Sequence, residues 1–525
     1  DTAGSNDSDA GYEGSDRHGT AVMGVIGADD NGRGTVGVAF DADLIGIRRD
    51  FTETTFTSTV EGFEHALSSG ADVMNNSWGA STIFTDHPTR DYFGDDTTEV
   101  IDAMIDLVNL GRGGLGTSIV FSAGNARTND DNVNYHGYQN SPYTITVAGS
   151  DIEGDLFSSS TKGAAILTTA PAVGITTLDV SGNEGYALGD TVFINGTSFA
   201  APTVSGIIAL MYEANPDLGY RDVQEIIAMS SRELDGSSWQ TNGGTHWNGT
   251  GMHFSHDFGY GLIDAFTAVR LAETWGNEQK TYANMETISV SGTPNITIPE
   301  RGIAEHTVTI SQDINVEQVL LDLVVPHDRA GDLTITLRSP DGTVSTLVET
   351  PGRGNLVTDA HGYTGISFQF STVANWGETS AGDWTILIQD PSANYGGVFE
   401  SFNLQILGSE ITDDDTYYFT DEFQAVVIAD TVGYDTLNLA AVREGVNLNM
   451  QGGATSTIVT GQNLRLSNLS VIEEAILGDG NDIVRGSDVE NNILLGRGDD
   501  YIYASDSDDT IDGEDGNDTI RYSGD

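Results

Sequence analysis

A nine-residue repeat in the last part of the chain constrains the fold more than any other feature. From Leu477 onward, five in-phase blocks read LGDGNDIVR, GSDVENNIL, LGRGDDYIY, ASDSDDTID and GEDGNDTIR. The sixth position is always Asp or Asn, and the eighth is always Val or Ile. A disordered acidic tail has no reason to keep an aliphatic residue at every ninth position. The repeat therefore predicts a parallel β-roll over residues 477–525, with a Gly/Asp turn and a short strand in each block.

Two blocks complete one coil of such a roll, so side chains 18 residues apart stack on one edge. One edge then carries Asp482, Asp500 and Asp518, and the other carries Asn491 and Asp509. Carboxylate and carbonyl oxygens are hard ligands that suit Ca²⁺, so we predict the four aspartates as calcium ligands, with Asn491 weakening its site. The blocks resemble the RTX calcium-binding nonapeptide family. The second block keeps one glycine and the fourth keeps none, which implies that some sites are weak or empty.

The charge balance narrows the possible partners. The chain has 525 residues, with 21 Lys and Arg against 79 Asp and Glu, so its formal net charge is −58. Nucleic acids and anionic membranes require basic patches, which excludes both as partners. There is no cysteine, so a secreted chain would need calcium where others use disulfides. No apolar run is long enough to span a membrane.

The pattern of apolar residues changes along the chain and predicts a multidomain protein. Residues 1–275 alternate strand-like and helical runs, which predicts a parallel α/β sheet. A linker at 276–284 leads to an all-β sandwich or jelly roll at 285–409, then a β-rich lead-in at 410–476 before the roll. Within the α/β region we predict a helix at Thr98–Leu110 and buried strands at Ala42–Arg48, Ala71–Asn76, Ser118–Ser122 and Tyr143–Ala148.

Three segments carry the residue types needed for acyl transfer. Ser198 lies in NGTSFAAP, between a predicted strand at Asp190–Ile194 and an apolar helix, so it sits at a helix N-terminus. His18 opens another helix in DRHGTAV, and Asn125 follows a buried strand in VFSAGN. Singly, these residues fit a helix cap, a structural histidine and a turn. Jointly, they supply a nucleophile, a base and an oxyanion donor.

These segments resemble the His and Ser motifs and the oxyanion Asn of the subtilase superfamily. The resemblance spans residues 1–275 and implies Ser198 as nucleophile, His18 as general base and Asn125 as oxyanion-hole donor. It also implies that a further segment pairs with the substrate backbone, namely Ser77, Trp78 and Gly79. The family's catalytic Asp follows its first strand, upstream of the His. No residue before His18 follows an apolar strand, so we expect the triad Asp outside this chain and both ends to be cut.

Other segments resemble the kexin-like branch, the proprotein convertases. They are NYHGYQNS at 134–141 and SHDFGYG at 255–261, with GDL, SPDGT and GDW at 331–333, 339–343 and 382–384 resembling the P domain. Proteases of that branch prefer substrates with basic residues, because acidic side chains of the enzyme line the pocket for the residue before the scissile bond. Here the matching positions hold Thr82, His136 and Thr161, and only Asp131 is acidic. A buried arginine would find too few carboxylates, so we predict weak selectivity for Arg.

The loop ADDNGRGT at 28–35 is a second predicted calcium site. Glycine turns present alternating oxygens, and Asn31 matches the side-chain ligand of the corresponding subtilase loop. A solvated acidic turn is the alternative.

The sequence thus predicts a secreted, calcium-dependent serine endopeptidase, bacterial and monomeric, that cleaves protein or peptide substrates and binds several calcium ions. The alternative is a non-catalytic calcium-binding surface or adhesion protein on a degenerate protease fold. The intact His18, Asn125 and Ser198 argue against it. An intracellular processing protease is a further alternative, but weak repeat sites need the roughly millimolar calcium found outside cells.

Overall fold

The computed structural model describes residues 17–49, 57–86, 98–236, 239–245, 247–276, 279–352, 364–393, 395–505 and 507–522. The described residues form an α/β region, a β-sandwich and a β-roll in turn, and the largest hydrophobic clusters lie in these regions. The multidomain fold predicted from the sequence is confirmed. None of the described helices is long and apolar enough to cross a membrane.

The α/β region is built on a mostly parallel sheet. Its helices are α1 Arg17–Gly27, α2 Thr57–Ser68, α3 Thr98–Leu110, α4 Thr197–Ala214, α5 Tyr220–Ser230 and α6 Ala265–Glu273. Its strands are β1 Val73–Asn76, β2 Ser118–Ser122, β3 Thr144–Ser150, β4 Ile166–Pro171, β5 Ile175–Leu178, β6 Thr191–Ile194, β7 Ser231–Arg232, β8 Gln240–Thr241, β9 His253–Phe254 and β10 Leu262–Ile263. The main sheet has the order β1-β2-β3-β4-β10-β7, and only the β10–β7 pair is antiparallel. Every residue of β2 and β3 is buried, as expected for a parallel sheet covered by helices.

The prediction of a strand at Ala42–Arg48 is wrong. That segment forms no ladder with any described strand, and Leu44 and Ile45 are 40% and 45% exposed. A groove of about 1420 Å³ separates it from β1, so it reaches no backbone donors or acceptors there. An apolar run indicates burial or pairing only when a partner lies beside it.

The second region is an antiparallel sandwich. Its strands are β11 Glu286–Gly292, β12 Ile296–Ile298, β13 Gly302–Ile310, β14 Asn315–Pro326, β15 Thr334–Arg338, β16 Val344–Glu349, β17 Gly365–Thr372, β18 Gly382–Asp390, β19 Gly397–Phe399 and β20 Ser401–Ser409. Two four-stranded sheets, β11-β20-β14-β17 and β13-β18-β15-β16, enclose one apolar core. Within the predicted linker, the Lys280 ammonium pairs with Glu225 of α5.

The third region is a roll of two mainly parallel sheets. Its strands are β21 Thr416–Thr420, β22 Val426–Ile428, β23 Thr436–Ala441, β24 Asn447–Asn449, β25 Thr455–Val459, β26 Gln462–Leu466, β27 Glu474–Ile476, β28 Ile483–Arg485, β29 Asn492–Leu494, β30 Tyr501–Ala504, β31 Thr510–Asp512 and β32 Thr519–Tyr522. Ile483 pairs with Tyr501, and Tyr501 with Thr519, so one coil takes 18 residues as predicted. Val484, Ile493 and Ile502 fill the interior.

Candidate active site

Ser198 lies at the N-terminus of α4. The turn before the helix requires glycine, because Gly196 has φ 144°. The amides of the first helical turn have no acceptors within the helix, and the helix dipole there favours negative charge. Ser198 is half-buried, and its Oγ lies 3.5 Å from the carbonyl oxygen of Ser77.

Asn125 is held beside this turn with its amide nitrogen outward. Its Oδ1 accepts from the Thr197 amide at 3.0 Å and from the Thr197 hydroxyl at 3.2 Å. With the oxygen engaged, the Nδ2 group is left as a donor, and the Asn125 side chain is exposed to the cleft. Thr197 was not predicted as the residue that orients Asn125, although it stands in the GTS motif beside the serine.

His18 approaches the same helix from α1. The His18 ring lies 5.7 Å from the Phe199 ring, centroid to centroid. The Thr177 hydroxyl in β5 donates to the Ala21 carbonyl at 2.6 Å and so fixes α1. Burial lowers the pKa of His18, which favours the neutral imidazole needed by a base. Within the described part of the chain, no hydrogen bond joins the His18 ring to Ser198.

The segment predicted to pair with substrate follows the carboxyl end of β1. The Ser77 hydroxyl donates to the Ser198 carbonyl at 2.8 Å, which ties this segment to α4. Trp78 packs edge-on against Phe121. A Cβ at Gly79 would lie 2.4 Å from the Gln139 amide nitrogen, so Gln139 would have to shift to admit a side chain there. The carboxyl ends of β1 and β2 thus converge on one cleft, where open α/β sheets bind ligands.

The groove beside β1 reaches the cleft. Its lining includes His18, the edge of β1 and the segment 39–49. The side of β1 that faces the groove carries no described strand, and three of its four residues are only half-buried. The prediction that no residue before His18 supplies the triad Asp concerns residues 1–16, which lie outside the described residues.

Asp131, the predicted acidic subsite residue, is already engaged. Its Oδ1 accepts from His136 Nε2 at 2.9 Å and from the Asn132 amide at 2.9 Å. Burial opposes protonation of His136, but the hydrogen bond to Asp131 and the charge of Asp86 raise its pKa overall. The hydroxyl of Thr161 accepts from the Ala126 amide at 3.1 Å, so this position supplies no charge.

The nonapeptide aspartates stack as predicted on one edge of the roll. The Asp482 amide donates to Asp500 Oδ1 at 2.7 Å, and the Asp500 amide donates to Asp518 Oδ1 at 3.1 Å. Asp482 and Asp500 are buried, and the Oδ2 atom of each has no hydrogen-bond partner. Burial, reinforced by the charge of Asp500, raises the pKa of Asp482 to about 7. Orphaned buried carboxylate oxygens fit a bound cation.

The other predicted calcium ligands are less free. On the second edge, Asp509 Oδ2 accepts from the Ser505 amide and hydroxyl, and Asp509 Oδ1 accepts from the Asn491 amide at 3.1 Å. In the loop at 28–35, Asn31 Oδ1 accepts from the Arg33 amide at 3.0 Å. Both residues would have to exchange these bonds for a cation.

Comparisons with known proteins agree with this architecture. The Subtilase family model matches residues 1–261, the Proprotein convertase P-domain model matches 316–406, and the RTX calcium-binding nonapeptide repeat model matches 485–520. The chain is 32% identical to proprotein convertase subtilisin/kexin type 4 of Homo sapiens, over 75% of this chain and 50% of the relative. It is 30% identical to kexin of Saccharomyces cerevisiae, over 77% of this chain and 48% of the relative.

The chain spans about half the length of the curated relatives it matches. Among solved structures, the serine protease of Aeromonas sobria superposes with a TM-score of 0.61 at 22% identity, covering 75% of this chain and 81% of that one. At that identity the likeness concerns the fold.

Proposed function

The chain combines a subtilase-family domain, a proprotein convertase P-domain and RTX calcium-binding repeats, and from that premise we propose a secreted, calcium-dependent serine endopeptidase. The observation that supports it most is the cleft in which Asn125, Ser198 and His18 meet. Thr197 holds the amide oxygen of Asn125 and is itself the residue before Ser198. A donor is thereby preset beside the nucleophile.

The proposed reaction is acyl transfer. His18 accepts the proton of the Ser198 hydroxyl as Oγ attacks the peptide carbonyl, and Asn125 Nδ2 donates to the oxygen that becomes negative. His18 then protonates the leaving amine as the C–N bond breaks. Water repeats the sequence on the acyl-enzyme and releases the second product. A preset donor stabilises the oxyanion without reorganisation.

The groove beside β1 supports a place for the third triad member. An extended segment in this groove would pair with the free side of β1 and bring a carboxylate toward His18. Among the described residues, no carboxylate forms a hydrogen bond or an ion pair with the His18 ring. We propose that the acid that orients His18 enters on such a strand.

We propose that the subsite for the residue before the scissile bond selects arginine only weakly. Asp131 is the one acidic residue kept at the positions expected to bind a basic side chain, and His136 already bonds it at 2.9 Å. An arginine would have to displace a partly charged imidazole to reach that carboxylate. A peptide-library profile dominated by paired basic residues would contradict this.

Calcium is proposed to act through the roll. Asp482 and Asp500 would hold ions through the oxygens that have no partner, together with turn carbonyls, and Ca²⁺ would supply the charge that offsets their repulsion. Secretion into a calcium-rich medium would then coincide with folding of the roll.

A fluorophosphonate probe tests the enzyme against the adhesion alternative. We expect Ser198-dependent labelling of the chain in calcium. Ser198→Ala should abolish labelling, while Ser181→Ala, an exposed serine outside the cleft, should not. Equal labelling of the wild type and Ser198→Ala would instead favour a non-catalytic calcium-binding protein.

A further inference from the structure

Three carboxylates converge in the lead-in, ahead of the nonapeptide repeats. Asp415 directly precedes β21, Asp430 follows β22, and Asp435 directly precedes β23. Each offers an oxygen within 4.8 Å of the others, and no other group of three or more His, Cys, Asp or Glu ligands meets that condition within the described ranges. Residues 436–484 separate the cluster from the part of the chain that the repeat model matches, which begins at residue 485.

The cluster contains a buried oxygen that no donor satisfies. Asp435 is 1% exposed, and its Oδ2 has no hydrogen-bond partner. Its Oδ1 accepts from the Asp415 amide at 3.1 Å, which leaves Oδ2 directed at the other carboxylates. An unsatisfied buried oxygen of this kind costs roughly 1–3 kcal/mol, and more when it is charged.

The surroundings add negative charge and few donors. Asp430 is 7% exposed, and the Tyr417 hydroxyl donates to its Oδ2 at 2.6 Å. Glu473 accepts from the Asp435 amide at 2.9 Å and brings a fourth carboxylate close by. Among the ion pairs of the described residues, none links a Lys or Arg to Asp415, Asp430 or Asp435. Burial, with the charge of Asp430 added, raises the pKa of Asp435 to about 7.

Asp415 and Asp435 occupy the same position in the coil as Asn491 and Asp509, because all four directly precede strands of one sheet. In the repeats the Asn491 amide donates to Asp509 Oδ1 at 3.1 Å, one coil further along. In the lead-in the Asp415 amide donates to the carboxylate of Asp435 in the same manner, and the following residues Thr416 and Thr436 are in register. The acidic column of the roll therefore starts before the nonapeptides do.

The loop between Asp430 and Asp435 is shaped to bring them to Asp415. Gly433 has φ 96°, and a Cβ there would lie 1.7 Å from the carbonyl oxygen of Asp413. Only glycine permits this approach of the loop to the segment that carries Asp415. The close approach thus presses carboxylates together that would otherwise repel.

We propose that Asp415, Asp430 and Asp435 bind a calcium ion of their own at the head of the roll. Three carboxylates without a histidine or a thiol favour a hard cation, and Ca²⁺ tolerates irregular oxygen ligands better than Mg²⁺ does. The site adjoins β21, where the Tyr418 ring stacks on the Trp275 ring at 4.6 Å between centroids. Calcium here would therefore stiffen the contact of the roll with the α/β region.

The substitution Asp435→Asn in the full chain tests whether Asp435 binds a cation or has only a structural role. The substitution keeps the volume and the bond from the Asp415 amide but removes one charge. Relative to wild type, we expect a lower melting temperature in calcium and a higher one in EDTA, because the carboxylates repel when no cation is present. A merely structural carboxylate would lower the melting temperature under both conditions, and that result would overturn the proposal.

Calcium stoichiometry gives an independent measurement. Equilibrium dialysis with ⁴⁵Ca²⁺ should show one ion fewer for both Asp435→Asn and Asp430→Asn. The control Asp508→Asn removes an exposed charge in the repeats and should bind as wild type does. An unchanged stoichiometry in both lead-in variants would refute the site. If both variants misfold, Tb³⁺ emission excited through tyrosine decides: Tyr417→Phe should reduce it, and equal emission would count against the site.

Discussion

Replacing Glu317 with Gln should destabilise the chain by about 3–5 kcal/mol, because it removes one half of a buried ion pair. Glu317 belongs to the P domain and Arg221 to α5 of the α/β region. Arg221 Nε and Nη2 donate to the two carboxylate oxygens of Glu317 at 2.8 and 2.6 Å. The two side chains are 2% and 5% exposed, so water does not replace the lost partner.

The magnitude follows from the loss of the partner of Arg221. Glu225 pairs with Lys280, and the charge of Asp222 also acts on Lys280, whereas Glu317 is the carboxylate that pairs with Arg221 among the described residues. Gln at 317 leaves the buried Arg221 guanidinium without its paired carboxylate, and that loss accounts for the predicted destabilisation. Replacing both Arg221 and Glu317 with Met should recover most of it.

Glu349→Gln is the matched control across the same interface. Glu349 pairs with Lys162 at 2.5 Å but is 48% exposed, so its loss should stay below about 1 kcal/mol. Urea unfolding at pH 7 in saturating calcium, followed by tryptophan fluorescence, measures both variants. The unfolding transition of the α/β region and the P domain is compared between the two variants, because a multidomain chain need not unfold in one step. Equal shifts for Glu317→Gln and Glu349→Gln would refute the reasoning.

The same pair predicts a pH dependence. Burial opposes ionisation of Glu317, but the charges of Arg221 and Lys280 lower its pKa overall. A carboxylate with a depressed pKa stabilises the fold above its unfolded value of about 4.3 and loses that contribution as pH falls through the folded value. The difference between wild type and Glu317→Gln should therefore shrink below about pH 4.3.

Three further substitutions test the site and the roll. Asn125→Ala should lower kcat by about 10²–10³ with little change in KM, measured by peptide hydrolysis with a complete triad. His136→Asn should free Asp131 and raise the ratio of kcat/KM for substrates with arginine before the scissile bond to kcat/KM for those with leucine, by at least about tenfold. In wild type the same ratio should fall as pH falls, because His136 gains its proton beside Asp131. Asp500→Asn should lower the melting temperature in calcium but not in EDTA, by differential scanning calorimetry.

Most of the architecture was predicted from local patterns in the sequence. The nine-residue period predicted the 18-residue coil because turn glycines and interior aliphatics recur along the chain itself. The prediction of a helix at Thr98–Leu110 matched the structure to the residue, since 3.6-residue periodicity is a local property. The strand at Ala42–Arg48 failed because pairing depends on a neighbour that the sequence of the segment does not reveal.

The sequence by itself determined the order of the domains, the coil of the roll and the residue types for acyl transfer. Tertiary structure decided which way those groups point and which are already engaged. Thr197 orients Asn125, His136 occupies Asp131, and Arg221 meets Glu317 across 96 positions of chain. Periodicity reports which face of an element is buried, but contacts between distant segments depend on how whole elements pack. The unsatisfied oxygen of Asp435 therefore becomes visible only once the loop that carries it is folded against Asp415.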